Sequence, residues 1–123
     1  MNCLSNRTLY VVRATEEMLT WVNSLKDTEG EQLSLEEVNE DSSAYLLDSS
    51  DELEEMAPHD LLATAVEENW EEWFLMELRS WTQDEKEWPQ EISLEMFEEW
   101  FDVSYHSMIV DMSEEDYLIE EYE

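Results

Sequence analysis

The stretch from Pro58 to Trp81 constrains the fold of this chain more than any other part of its sequence. It has no glycine and no proline after its first residue, and Pro58 suits either the first turn of a new helix or a kink in a preceding one. Its large apolar side chains recur at helical spacing and fall on one broad side at about 100° per residue. An apolar side this wide is typical of a helix at the centre of a domain, so we predict one long central helix. The residues on that side are Leu62, Val66, Trp70, Trp73, Phe74 and Trp81.

One carboxylate falls on the apolar side of this predicted helix. Glu77 lies near Trp70 and Trp73 on a helical wheel. A buried carboxylate without a partner is costly and tends to stay protonated. We therefore expect Glu77 either to pair with one of the few basic residues or to lie at the rim of the apolar side.

Negative charge dominates the whole chain. Its 123 residues include 35 acids against five bases, which gives a formal net charge of -30. Charge of this size opposes compaction and usually predicts disorder, but disordered chains are poor in aromatic residues. Here six Trp, five Tyr and three Phe accompany a single Gly. We therefore expect one folded acidic domain over residues 1–123, with fraying at residues 1–6 and 118–123.

Shorter elements are predicted on both sides of the long helix. Runs of β-branched and aromatic residues favour strands, a serine or threonine followed by acids favours a helix start, and glycine marks a turn. These signals predict an α+β fold, in which a small antiparallel sheet of about three strands packs against the long helix and two or three shorter helices. The predicted strands are Arg7–Arg13, Ser43–Asp48 and Ser104–Met112. The other predicted elements are a helix after Thr15, a turn around Gly30, a short helix after Ser34, a helical opening over Ser49–Ala57, a loop over Thr82–Glu91, a helix from Ser93 to Val103 and a closing helix or tail after Ser113.

Candidate catalytic and metal-binding residues are few and scattered. Cys3, His59 and His106 lie far apart in the sequence, and no motif of a calcium loop, a zinc protease or a glycine-rich phosphate loop occurs. With so many acids, some pair of carboxylates always falls at a distance usable in hydrolysis, so such a pair has no diagnostic value. We therefore predict a protein that is not an enzyme and that has no metal site and no cofactor.

The same charge disfavours direct contact with nucleic acid or membranes. Proteins bind phosphates through Lys and Arg, and anionic lipid surfaces attract basic segments. No apolar run approaches the roughly 18 residues of a membrane helix, and Met1–Arg13 lacks the pattern of a signal peptide, so we expect a cytoplasmic location. The only bases are Arg7, Arg13, Lys26, Arg79 and Lys86.

The acids repeat at intervals that resemble a row of phosphates. B-DNA carries one negative charge per about 1.7 Å of axis, whereas an α-helix rises about 1.5 Å per residue and places side chains three or four apart at about 5–6 Å. Such rows predict binding to a basic DNA- or RNA-binding protein, with Trp88, in the loop beside Pro89, as an exposed aromatic anchor. The predicted partner-binding acids are Glu68, Glu71, Glu72, Glu91, Glu95, Glu98, Glu99, Asp102, Glu114 and Glu115.

In size and charge the chain resembles phage-encoded DNA mimics, which block restriction enzymes, CRISPR effectors or other DNA-binding proteins. The resemblance is one of composition, with no shared motif, and it assigns a role to no residue. It implies an inhibitor of the anti-restriction or anti-CRISPR type. Two alternatives stay open: an ordinary folded protein with a solvating acidic surface, halophilic or housekeeping in role, and an acidic assembly factor for a basic partner. The sequence also leaves homodimerisation open.

Overall fold

The structure of the protein is a computed structural model that describes residues 1–25, 32–49 and 57–120. The turn predicted around Gly30 lies outside the described residues, and so does most of Ser49–Ala57, where a helical region is predicted to begin. The strands in these ranges are β1 Asn2–Cys3, β2 Arg7–Ala14, β3 Ser43–Asp48, β4 Phe101–His106 and β5 Val110–Asp111. The helices there are α1 Glu16–Asn23, α2 Leu35–Val38, α3 Pro58–Trp81 and α4 Leu94–Trp100, with a 3₁₀ turn at Glu85–Glu87.

The main sheet is antiparallel, with its three strands in the order β3-β2-β4. On the central strand β2, Tyr10 and Val12 are buried. They share one face of the sheet because successive side chains of a strand point to opposite faces. Tyr10 lies opposite Tyr45 on β3 and opposite Tyr105 on β4. The predicted α+β fold, with a small antiparallel sheet, one long helix and shorter helices, is confirmed.

The long helix α3 spans the predicted residues, Pro58–Trp81. Trp73 and Phe74 of the predicted apolar side are buried. Ala65 and Leu78 are buried as well, so the buried side of α3 is wider than the sequence predicts. The remaining predicted members are partly buried against the core: Leu62, Val66, Trp70 and Trp81.

Aromatic rings join α3 to the sheet and to α4. The ring of Trp73 stacks on Tyr45 at a centroid distance of 5.3 Å. Phe74 meets Phe97 of α4 at 5.9 Å and Phe101 of β4 at 5.4 Å, both edge to face. Aromatic pairs in such arrangements contribute about 0.5–1.5 kcal/mol beyond the burial of their area. This core opposes the repulsion among the surface acids and holds the helices in fixed positions.

Side-chain caps define the starts of the two shorter helices in which serine precedes the first turn. Ser34 and Glu37 form the predicted capping box of α2, and the Ser93 hydroxyl accepts a backbone N–H of the first turn of α4 at 3.1 Å. Thr15 occupies the N-cap position of α1, but its side chain makes no capping bond. Instead its hydroxyl donates to the carbonyl oxygen of Glu99 at 2.6 Å and so ties α1 to α4.

The C-terminal elements differ from the prediction. The helix after Ser93 ends at Trp100 rather than Val103, because the backbone from Phe101 onward pairs with β2. The strand predicted over Ser104–Met112 is two strands, of which β4 pairs with β2 and β5 pairs with β1. β1 belongs to the segment for which fraying is predicted. After β5, residues 112–120 form neither helix nor strand, so the predicted alternative of a tail applies to them.

Candidate protein-binding surface

The solvent side of α3 carries the first three predicted partner-binding acids. Glu68, Glu71 and Glu72 are exposed, as is Glu67, which the sequence prediction omitted. Helical residues three or four positions apart are neighbours, and like charges at this spacing weaken an isolated helix by about 0.2–0.5 kcal/mol per pair. The row therefore depends on the packing of the opposite side of α3 and has no intrinsic advantage for the helix. Glu67 lies four residues before Glu71, and this i, i+4 spacing is the sequence signal that could have identified it.

A second group of exposed acids surrounds α4. Glu95, Glu98 and Glu99 lie on the helix, Glu91 lies in the loop before it, and Asp102 follows it at the start of β4. The capped first turn and the buried aromatic ring of α4 fix which side of this helix faces the core. All five acids were predicted from the sequence, and all five are exposed.

The packing of α3 against α4 brings acids of the two groups to one place. Glu67 of α3, Glu98 of α4 and Asp102 of β4 line one groove, which we call the α3–α4 groove. The predicted acids Glu68 and Glu72 lie elsewhere on α3, and Glu68 lines a separate groove beside the sheet. The two acidic rows are thus adjacent without forming a single line of charge.

Ion pairs leave both groups of acids unneutralised in the part of the chain that the structure describes. The ion pairs there join Arg7 to Asp48 at 3.0 Å and His59 to Asp60 at 3.3 Å. Neither pair includes an acid of α4 or of the Glu67–Glu72 stretch. Uncompensated charges of one sign produce a potential that attracts a basic surface and accelerates its association.

The tail places the last two predicted acids differently. Glu114 and Glu115 are exposed, but the tail has no helix to space them at helical intervals. The Ser113 hydroxyl accepts the Glu115 N–H at 3.0 Å. The backbone N–H of Ser113 and the hydroxyl of Tyr117 lower the pKa of Asp111 by hydrogen bonding to its carboxylate. The acids of the tail therefore contribute charge without the helical spacing of the other two groups.

Trp88 is half-buried, which corrects the expectation of an exposed anchor. Its indole Nε1 donates to the carbonyl oxygen of Thr82 at 2.9 Å, and its ring packs against the core. The loop after α3 folds back on the helix end, and this satisfies the indole N–H within the chain. A role of Trp88 in partner binding stays a prediction for the part of the ring that remains accessible.

Glu77 is buried, with 8% of its surface exposed. The hydroxyl of Tyr45 donates to its Oε1 at 3.0 Å, and the side chain of Ser43 also bonds to its carboxyl group. Burial raises the pKa of Glu77, and the hydrogen bonds from these two hydroxyls offset that rise only in part. The prediction of a basic partner or a rim position is wrong, because two hydroxyl groups of β3 satisfy the carboxyl group inside the core.

The residues considered for catalysis lie on three different elements. Cys3 is exposed on β1, His59 lies in the first turn of α3, and His106 ends β4. The ring Nε2 of His106 lies 2.8 Å from the Ser104 hydroxyl oxygen. Within residues 1–25, 32–49 and 57–120, no group of three or more His, Cys, Asp or Glu side chains is placed to hold a metal ion.

Comparison with known proteins gives no family for this chain. No family model matches it, and neither a curated protein nor a solved structure does so. None of the helices in the described residues is both long enough and apolar enough to cross a membrane. Function must therefore be inferred from the chemistry of the chain's own surface.

Proposed function

We propose that this protein is a non-enzymatic inhibitor that binds and occludes the basic, nucleic-acid-binding surface of another protein, as a DNA mimic. The observation that carries the proposal is the pair of exposed acidic groups on α3 and around α4, which the ion pairs of the described residues leave uncompensated. The formal net charge of -30 makes the molecule as a whole negative, like these two groups of acids. Restriction enzymes and CRISPR effectors are the target classes that the compositional resemblance implies.

The fold supports this proposal by holding the acids in place before binding. A flexible acidic chain would lose conformational entropy when it became ordered against a target. Here most acids of the two groups stand on α3 and α4, which an aromatic core fixes against a sheet. Long-range attraction between opposite charges would raise the association rate and make it sensitive to salt.

The decisive experiment compares two variants with the same net charge. In the first, which we call the α3–α4 variant, five acids on these two helices are replaced by Lys: Glu68, Glu71, Glu72, Glu95 and Glu99. In the control, five exposed acids outside α3 and α4 are replaced by Lys: Glu36, Glu40, Glu85, Asp116 and Glu120. Proteins retained from lysate at low salt are eluted with a salt gradient and identified by mass spectrometry. Each retained protein is then tested for release by a DNA duplex and for loss of its own DNA binding.

The proposal predicts that the wild type and the control retain a nucleic-acid-binding protein, that duplex DNA releases it, and that the α3–α4 variant does not retain it. Single replacements should each have a small effect, because exposed ion pairs contribute about 0–1 kcal/mol. Equal retention by the α3–α4 variant and the wild type would contradict the proposal. A basic partner that binds but is not displaced by DNA would instead favour an acidic assembly factor.

A further inference from the structure

The α3–α4 groove combines an apolar floor with an acidic rim. It lies between the first half of α3 on one side and α4 with the start of β4 on the other, and its volume is about 410 Å³. Its apolar lining includes Leu62 and Val66 of α3 and Leu94 and Phe97 of α4. The acids at its rim are Glu67, Glu98 and Asp102, one from each of the three elements.

The chemistry of this groove selects among possible occupants. Nucleic acid would meet three carboxylates and be repelled, and a second copy of this acidic chain would meet the same obstacle. A purely apolar segment would cover the floor but would desolvate carboxylates without pairing them, which is costly. Arg and Lys suit both parts, because their methylene stems pack on apolar surface while their charged heads reach an acid or water.

The groove on the other side of α3 is a weaker candidate. It has a volume of about 370 Å³ and is lined by two acids, Asp48 and Glu68. Asp48 already pairs with Arg7 at 3.0 Å, so part of its charge is compensated within the chain. The ion pairs of the described residues include none of the three rim acids of the α3–α4 groove, and His59, which also lines this groove, pairs instead with Asp60 at 3.3 Å.

We propose that the α3–α4 groove binds a basic amphipathic segment of the target protein, in which an apolar side chain enters the floor and flanking Arg or Lys side chains pair with Glu67, Glu98 and Asp102. This inference rests on the proposed function and deepens it. Duplex DNA offers its binding proteins a row of phosphates, whereas this groove adds an apolar contact. The contact gives selectivity for targets that carry an apolar residue between basic ones.

Two fluorescein-labelled peptides of equal length and charge test the groove directly. One alternates Arg with Leu, and the other alternates Arg with Ser. Fluorescence anisotropy at physiological salt measures their affinities for the folded full chain. The groove predicts that the Arg–Leu peptide binds about tenfold more tightly than the Arg–Ser peptide, which corresponds to about 1.4 kcal/mol. Equal affinities would overturn the proposal.

Matched variants locate the binding. Glu67→Gln, Glu98→Gln and Asp102→Asn together remove the rim charge, and Glu36→Gln, Glu85→Gln and Asp116→Asn remove the same charge from exposed sites elsewhere. The rim triple variant should weaken the Arg–Leu peptide about tenfold and the control triple variant less than about threefold, since distant surface charges are screened at this salt concentration. An equal loss in both triple variants would place the peptide outside the groove.

A second pair of variants tests the apolar floor without changing charge. Ala63 lines the groove and is exposed, so Ala63→Trp should fill it. Ala44 is exposed on β3, and Ala44→Trp is the matched control. Only the Ala63 variant should lose the preference for the Arg–Leu peptide, with near-ultraviolet circular dichroism confirming that both variants are folded. Retention of that preference by the Ala63 variant would overturn the groove as its origin.

The groove and the proposed function fail in different ways. If the groove is wrong, both triple variants weaken the peptides equally while the wild type still displaces DNA from its target. If the proposed function is wrong, the five-residue Lys variant still retains its target or the target does not bind DNA. Occupation by a second copy would appear as a mass that rises with concentration in light scattering and would overturn the groove's assignment to a basic segment.

Discussion

At the scale of single residues, Glu77 shows how this chain accommodates an acid in its core. Helical periodicity correctly places Glu77 on the apolar side of α3, but the scarcity of bases leaves few charged partners for it. Instead, the hydroxyl groups of Tyr45 and Ser43 on β3 form hydrogen bonds with its carboxyl group. A hydroxyl can donate to either protonation state of a carboxyl group, so this arrangement accommodates a neutral Glu77 as well as a charged one.

Glu77→Gln tests whether this buried carboxyl group titrates differently in the folded and unfolded states. Burial raises the pKa of Glu77 in the folded protein. Between the unfolded-state pKa and the folded-state pKa, the folded state therefore binds more protons than the unfolded state, and this group makes stability fall as pH rises. Its favourable contribution is complete below the unfolded-state pKa and is lost as pH rises through the folded-state pKa. Glutamine does not titrate. The stability of Glu77→Gln relative to the wild type should therefore increase from pH 4 to pH 8, as measured by urea unfolding with Trp fluorescence.

Tyr45→Phe provides the companion measurement for this prediction. The variant keeps the ring that stacks on Trp73 at 5.3 Å and removes the hydroxyl that donates to Glu77. Because that hydrogen bond lowers the pKa of Glu77, its loss should raise the pKa further and extend the loss of stability to higher pH. A difference between Glu77→Gln and the wild type that stays constant with pH would show that Glu77 does not titrate differently on folding.

At the scale of elements, two serine caps of the same chemistry support helices of unequal importance. Ser34 caps α2, which buries no residue, whereas Ser93 caps α4, which carries Phe97 into the core. Ser93→Ala should lower the free energy of unfolding by about 1 kcal/mol, as the loss of an N-cap commonly does. Ser34→Ala should cost less than about half of that, since α2 contributes little buried surface. Urea unfolding of the two variants gives both values, and an equal or larger effect at Ser34 would contradict this ranking of the helices.

Local signals explain why much of the fold was predictable from sequence. The capping box at Ser34, the cap at Ser93 and the apolar periodicity of α3 each depend on neighbouring residues alone. The errors lie where distant strands decide the outcome. Pairing with β2 takes Phe101–Val103 from the predicted helix, and pairing between β1 and β5 depends on residues at opposite ends of the chain.

The candidate surface was predictable to a similar extent. Periodicity identifies exposed acids such as Glu71 and Glu95, because it also identifies the opposite, buried sides of their helices. It does not reveal that Glu67, Glu98 and Asp102 meet at one groove, since this depends on how α3 packs against α4. The partial burial of Trp88 likewise depends on how the loop folds back.

At the scale of the whole molecule, a formal charge of -30 is held on a fold whose core is rich in aromatic side chains. Burial of apolar area stabilises the fold, whereas repulsion among the acids favours expansion. The aromatic residues thus have a structural role in this acidic protein: they allow the surface acids to keep a fixed arrangement. Salt changes the repulsion directly, so it distinguishes a folded mimic from a protein that requires salt in order to fold.

Added salt should stabilise the fold while weakening its binding to a basic partner. The Debye length falls from about 30 Å at 0.01 M salt to about 8 Å at 0.15 M, so repulsion within the chain and attraction to a basic partner should weaken together. The near-ultraviolet circular dichroism of the Trp residues should be present in dilute buffer, the urea midpoint should rise with added NaCl, and affinity for the Arg–Leu peptide should fall. Urea is the suitable denaturant because it adds no ions. A Trp signal that is absent in dilute buffer and appears only in molar salt would contradict the DNA-mimic proposal and favour a halophilic protein with a solvating surface.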